Sequence, residues 1–213
     1  MGKTLIRITT SLDGYVAGPN QSMKDPLGVG GEALHTWAIE LAAWREQHGQ
    51  KGGAVNASSA IMQEMFENVG AVIMGRNMFG GGPGPWKPDW KGWWGKNPPY
   101  HMPVYVLTHH ARDPLPMEGG TTFHFVTDGI QSALEQAKRA AADKDVLIMG
   151  GANAIQQFLA AGVVDEINIS MVPLLLGAGE RMLDSLGAPP PRLEQIRVIE
   201  APGVVHLRYR VAR

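Results

Sequence analysis

The chain has 213 residues, of which 44% are hydrophobic and 18% charged, and its formal net charge is -1. That balance excludes global disorder, and the lack of a basic excess argues against a general nucleic-acid binder or a protein held electrostatically on a membrane. Cysteine is absent, which removes disulfides, thiolate nucleophiles and every cysteine-containing zinc site.

The chain opens with Met1-Gly2-Lys3-Thr4, which forms no apolar signal region, and no run of 18 apolar residues follows. A cytoplasmic protein that neither spans nor binds a membrane is expected. Leu5 to Thr9 is rich in β-branched residues and predicts a first strand. Ala33 to Glu46 predicts a helix, because Leu34, Trp37, Leu41 and Trp44 recur at spacings of three and four; Trp37 is read as core. Asn56 or Ser58 caps a second predicted helix reaching Glu67, with Ile61, Met62, Met65 and Phe66 on its buried face. Strands are predicted at Ala71 to Met74, Pro103 to Thr108 and Thr122 to Thr127. Asp128 opens an Ala-rich helix through about Ala142, Val146 to Met149 is a strand, Asn153 to Ala161 a helix and Asp165 to Val172 a strand. Arg192 to Glu200 and Val204 to Val211 predict a closing antiparallel pair around Pro202-Gly203. Strands alternating with helices predict a mostly parallel sheet covered on both faces, in one domain over residues 1–213. The stretch from about 80 to 103 differs: it holds four of the six tryptophans (Trp86, Trp90, Trp93 and Trp94) among Gly and Pro, and is too long for an ordinary connection. It reads either as a lid or pocket wall for a flat substrate, with Trp94 on the substrate, or as a subunit interface.

Three strand ends carry polar or glycine residues suited to a ligand: Gly75-Arg76, Thr108-His109, and Gly150-Gly151-Ala152-Asn153, which also opens a helix. Ligands bind at the carboxyl ends of parallel strands, a glycine-led helix N-terminus offers free N–H groups to phosphate, and a nearby Arg adds a bidentate partner. Together they suggest a phosphorylated nucleotide along the sheet rim. The spacing is neither Gly-x-Gly-x-x-Gly nor a P-loop, which argues against a standard dinucleotide fold and an NTPase. Each feature also has a plain reading as turn or surface chemistry, as does Asp13-Gly14 after the first strand.

Ser11-Leu12-Asp13-Gly14, Val72-Ile73-Met74-Gly75-Arg76-Asn77-Met78, Met149-Gly150-Gly151-Ala152, Val164-Asp165-Glu166-Ile167 and Pro173-Leu174 through Gly177-Ala178-Gly179 occur in one order. This order resembles the dihydrofolate reductase-like superfamily, and more closely the reductase domain of the bifunctional riboflavin-biosynthesis deaminase/reductase. The resemblance implies an α/β three-layer sandwich, with a mostly parallel central sheet of about eight strands and an antiparallel C-terminal strand. It implies NADPH across the strand ends: Gly75, Arg76, Asn77 and Met78 near the phosphates, Thr108 and His109 beside the adenosine 2′-phosphate, Gly150, Gly151, Ala152 and Asn153 at the pyrophosphate, Ala17 and Gly18 near the nicotinamide, Leu174 and Gly177 flanking it. Met78 stands for the family's Thr and His109 for its Arg, which weakens selection of NADPH over NADH. The Leu-Pro-Trp segment of dihydrofolate reductases is missing, which argues against folate reduction. The absence of cysteine and of spare length leaves no room for the zinc deaminase half.

The implied activity is hydride transfer from NADPH to a C=N or C=O carbon of a small heterocyclic or carbonyl substrate, similar to 5-amino-6-(5-phosphoribosylamino)uracil reductase. Asp13 is the expected catalytic and substrate-orienting carboxyl, with a pKa raised by burial beside a phosphorylated cofactor. His35 is the alternative acid. The rival readings are a non-catalytic, redox-sensing nucleotide binder and a dihydrofolate reductase-type enzyme. The resemblance also implies a homodimer.

Overall fold

The computed structural model describes residues 2–187 and 189–212. Strand β1 (Thr4–Ser11) leads through a turn to a short β2 (Tyr15–Ala17). A loop then reaches two short helices, α1 (Thr36–Ile39) and α2 (Ala42–Gln47), and after them α3 (Ala57–Gln63). Next come β3 (Val69–Gly75) and a single helical turn, α4 (Arg76–Phe79). Beyond the tryptophan-rich stretch lie β4 (Pro103–Leu107), β5 (Leu115–Pro116) and β6 (Thr122–Val126). The rest of the chain is α5 (Gly129–Ala141), β7 (Asp145–Gly150), α6 (Ala152–Ala160), β8 (Glu166–Val172), β9 (Glu180–Arg181), β10 (Arg192–Ala201) and β11 (Val204–Ala212).

Nine strands form one sheet in the order β10-β11-β8-β1-β7-β3-β4-β6-β5. The run from β8 to β6 is parallel throughout, and β10, β11 and β5 pair antiparallel at the two ends. The expected mostly parallel α/β sheet with antiparallel C-terminal strands is therefore present, with nine strands where about eight were expected. A separate two-stranded ribbon pairs β2 with β9; neither strand is visible in the sequence pattern, because both are too short to show alternation.

The two faces of the sheet are covered differently. One face packs Ile6, Ile73, Tyr105, Ile148 and Ile167 against Ala133, Leu134 and Ala137 of α5 and Ile155 and Phe158 of α6. On the other face, Leu5, Val72, Met74, Val104, Val106 and Leu147 pack against Phe79, Tyr100, Phe123 and the tryptophan-rich stretch. Under α1 and α3 that second face turns polar. The register sets Arg7 of β1 beside Asn168 of β8 and Arg208 of β11, and Thr9 beside Ser170 and His206.

One predicted helix is corrected. Residues 33–46 do not form a continuous helix: a 3-10 turn over Gly31–His35 and α1 stop before Leu41, whose backbone is extended. Ala42 N donates to Ala54 O at 2.9 Å and Ala54 N to Glu40 O at 2.8 Å, so this pairing with the following loop wins over helix continuation. The apolar spacing still did its work, because Leu34, Trp37 and Leu41 are all buried. The second helix begins where expected, with a capping box of Asn56 and Ser59. Its predicted face of Ile61, Met62, Met65 and Phe66 is only half-buried: the first three border a cavity, while Phe66 packs on the second-face cluster.

Candidate functional site

Strands β7, β3 and β4 are neighbours and run in one direction, so Gly150-Gly151, Gly75-Arg76 and Thr108-His109 emerge along one rim. A cleft of about 1330 Å³ opens there and continues beneath α1 and α3. That exceeds the roughly 300–1,000 Å³ of a site for one drug-sized molecule.

The β3 and β7 ends approach each other closely, and backbone conformation calls for glycine at Gly150. A Cβ on Gly75 would lie 3.4 Å from Gly151 N and 3.7 Å from Ala154 Cβ. Gly150 has φ 125°, a region that disfavours side chains. A Cβ on Gly151, by contrast, would meet nothing within 4 Å. Gly151 is also the N-cap of α6 and has no side-chain cap, so the first N–H groups of that nine-residue helix face the cleft beside Ala152 and Asn153.

Arg76 is fixed by several contacts. It lies 3.3 Å above the centre of the Trp86 ring and donates to Thr108 Oγ1 at 3.3 Å, Gly82 O at 2.9 Å and Gly84 O at 3.1 Å. Trp86 is held in turn by Nε1–H donating to His110 O at 2.7 Å and by edge contacts with Phe79 and Phe125. Burial, and then the like charge of Arg112, lower the Arg76 pKa. Among the described residues no carboxylate pairs with Arg76, so this ordered cation at the rim suits an anionic ligand.

The other expected residues divide. Ala17, Asn77, Met78, Thr108, His109, Ala152, Asn153, His35 and Trp94 line the cleft with Gly75, Arg76 and Gly151. Asp13, Gly18, Gly150, Leu174 and Gly177 are not part of its lining. Gly18 packs against the loop that follows, where a Cβ would stand 2.0 Å from Val29 O. Leu174 joins an apolar cluster with Leu34, Trp37 and Val204.

The expected upward pKa shift of Asp13 is corrected. Its carboxylate accepts from Ser11 Oγ at 2.5 Å, Gly177 N at 2.7 Å and Leu176 N at 3.2 Å. The Ser11 hydroxyl chiefly, with these N–H groups, lowers its pKa to about 2 rather than raising it. Asp13 is thus an anion that ties the β1 turn to the loop after β8. His35 lines the cleft with its pKa lowered by burial, so it is a neutral imidazole.

The tryptophan-rich stretch is part of the core wall. Trp86, Trp90 and Trp94 pack on the second-face cluster, Trp94 edge-on to Tyr100 at 5.2 Å, while Trp93 and Trp94 face the cleft.

Several cleft residues escaped sequence reasoning: Arg7, Thr9, Asn168, Ser170, His206 and Arg208. Their signal was present as polar residues alternating with Ile167, Ile169 and Leu207, but it is recognisable only once the register lines three strands together. Trp37, read as core, is buried as expected and also borders the cleft, edge-on to His206 at 4.9 Å.

The RibD C-terminal domain family matches residues 3–207. The chain belongs to the RibD C-terminal domain family. No relative is found among curated protein sequences. Among solved structures it is similar to a Shewanella sp. PV-4 protein described as a putative riboflavin biosynthesis protein, at 22% identity and TM-score 0.64, over 99% of each chain. It is also similar to the Thermotoga maritima diaminohydroxyphosphoribosylaminopyrimidine deaminase/5-amino-6-(5-phosphoribosylamino)uracil reductase, at 13% identity and TM-score 0.56, over 99% of this chain and 57% of that one. A third is the Saccharomyces cerevisiae riboflavin biosynthesis reductase Rib7, at 14% identity and TM-score 0.53, over 100% and 89% of the two chains. The RibD-type sheet explains why the strand ends converge, and among the described residues no helix is long and apolar enough to cross a membrane.

Proposed function

We propose that this chain is a reductase of the riboflavin-pathway type, taking hydride from NADPH to a C=N or C=O carbon of a small phosphorylated pyrimidine. The observation that carries the reading is the joining of three strand ends into one cleft. There an open glycine N-cap and an ordered, carboxylate-free arginine stand beside a second, polar chamber. Family membership and the reductases among the structural neighbours support the same reaction class.

Bound NADPH supplies the hydride. Gly151 and the first turn of α6 would hold its pyrophosphate through backbone N–H groups. Arg76, braced by Thr108 and Trp86, would hold the phosphate at the adenosine end, with His109 at the rim. Such an arginine would favour NADPH over NADH. Ala17 would border the reactive end of the coenzyme and Met78 its phosphates, while Trp93 and Trp94 would wall the cleft against water. Asp13 holds the β1 turn and the loop carrying Leu174 and Gly177 in register, so these residues shape the site from behind.

The test is calorimetry with NADPH and NADH, followed by coenzyme oxidation with 5-amino-6-(5-phosphoribosylamino)uracil. Heat with NADPH and oxidation on adding the pyrimidine are expected. No heat with either coenzyme sinks the reading, and tight binding without oxidation of any substrate favours the redox-sensing alternative. Replacing Arg76 by Ala removes a charge-assisted contact and should weaken NADPH about tenfold or more, with a smaller effect on NADH.

A homodimer is part of the proposal. Strand β10 ends the sheet and exposes Leu193, Ile196 and Val198, an apolar edge that a second copy would cover.

A further inference from the structure

The polar chamber beneath α1 and α3 contains a chain of groups with no part in the mechanism so far. His206 is 5% exposed, and its ring is held between two hydroxyls: Ser58 Oγ lies 2.8 Å from Nε2 and Ser170 Oγ 2.9 Å from Nδ1. The three residues come from α3, β8 and β11. Burial, and then the positive charge of Arg197, hold the His206 pKa down to about 4, so the ring is neutral and carries one N–H.

The direction of this chain follows from satisfying its buried end. Ser58 is 1% exposed, and among the described residues its hydroxyl has no partner other than His206. A buried O–H needs an acceptor, so Ser58 donates to Nε2. The ring proton then sits on Nδ1 and is donated to Ser170. With its oxygen accepting from His206, Ser170 turns its own hydrogen into the cleft that it lines. Ser170 stands beside Thr9 on β1, two residues before the carboxyl end of that strand at Ser11.

We propose that Ser170 is a catalytic hydrogen-bond donor at the substrate heteroatom that gains charge during reduction, and that His206 and Ser58 are positioning residues that fix where its proton points. This rests on the reductase reading. Hydride adds to the carbon of the C=N or C=O group, the π pair moves onto the heteroatom, and a proton from water completes the reduction. Ser170 stabilises that pair before it is protonated. The chamber therefore takes a substrate whose reducible group presents an acceptor lone pair. Asp13 is an ion engaged by three donors, and among the described residues His35 has no side-chain hydrogen bond to orient it.

The first test needs no turnover. Long-range proton–nitrogen NMR of the labelled resting protein at neutral pH should find His206 in the Nδ1–H tautomer; the Nε2–H tautomer reverses the chain and overturns the proposal. The second uses NADPH and 5-amino-6-(5-phosphoribosylamino)uracil. Ser170→Ala should lower kcat roughly 100-fold while the Kd for NADPH holds. His206→Phe should behave likewise, with partial rescue in His206→Gln, which keeps one donor and one acceptor. Wild-type kcat in Ser170→Ala rejects the role of Ser170. Absence of turnover in the wild-type protein rejects the reductase reading instead, and the tautomer then still decides the direction of the chain.

Discussion

The carboxylate of Asp13 and the imidazole of His206 respond to acid for different reasons, and both responses are measurable. Asp13 has a folded pKa of about 2, below its ordinary 3.8, because Ser11 and two backbone N–H groups favour the anion. Its contribution to stability is complete above about pH 4 and is lost as pH falls toward 2. In thermal unfolding, Asp13→Asn should be less stable than wild type at pH 7, and the gap should close across that window. His206 is lowered from 6.5 to about 4 by burial and Arg197, so protonation opposes folding. Its contribution is complete above about pH 6.5 and is lost as pH falls through 4. His206→Gln cannot titrate, so its melting temperature should change less than that of wild type between those values. Equal pH slopes in the two proteins would show that the ring is solvated rather than enclosed.

Helix α4 is a single turn, yet it joins the core to the rim. Arg76 at its start reaches Thr108, and Phe79 at its end is fully buried between Phe123 at 4.9 Å, Phe125 at 5.4 Å and Trp86 at 5.5 Å. Trp86 is the ring under the Arg76 guanidinium, so packing of Phe79 and the placement of that guanidinium are mechanically linked. Phe79→Ala should cost about 3–5 kcal/mol in urea unfolding and also weaken NADPH, although residue 79 is outside the cleft lining. A loss of stability with unchanged coenzyme affinity would break that link. The break in residues 33–46 belongs to the same scale. Apolar spacing located the buried side of this segment, but it could not register that Leu41 would leave helical geometry to pair with Ala54, since that partner lies beyond the helix.

At the scale of the molecule, the sheet has two unlike ends. Near β6 its second face is sealed by aromatic packing, whereas at β10 an extended strand of ten residues ends the sheet with Leu193, Ile196 and Val198 exposed. If a second copy covers this edge, Val198→Lys should shift light-scattering mass from dimer to monomer without changing the far-ultraviolet circular dichroism. A monomeric wild-type protein would remove the dimer from the proposal.

The sequence by itself determined most strands, the two long helices and the glycine and arginine turns at the strand ends. Those features are local: β-branched runs, helical spacing and backbone freedom at glycine all act within a few residues. It also carried the family resemblance, because the order of short motifs survives in the chain. Only the tertiary structure decided that Asp13 tethers the β1 turn to the loop after β8: the Ser11 hydroxyl that chiefly lowers its pKa is two residues away, but the N–H groups of Leu176 and Gly177 reach it only through the fold. The polar chamber was equally out of reach. Thr9, Ser170 and His206 are far apart in the chain and ordinary in composition; strand register makes them neighbours, and register is a property of pairing rather than of any one segment.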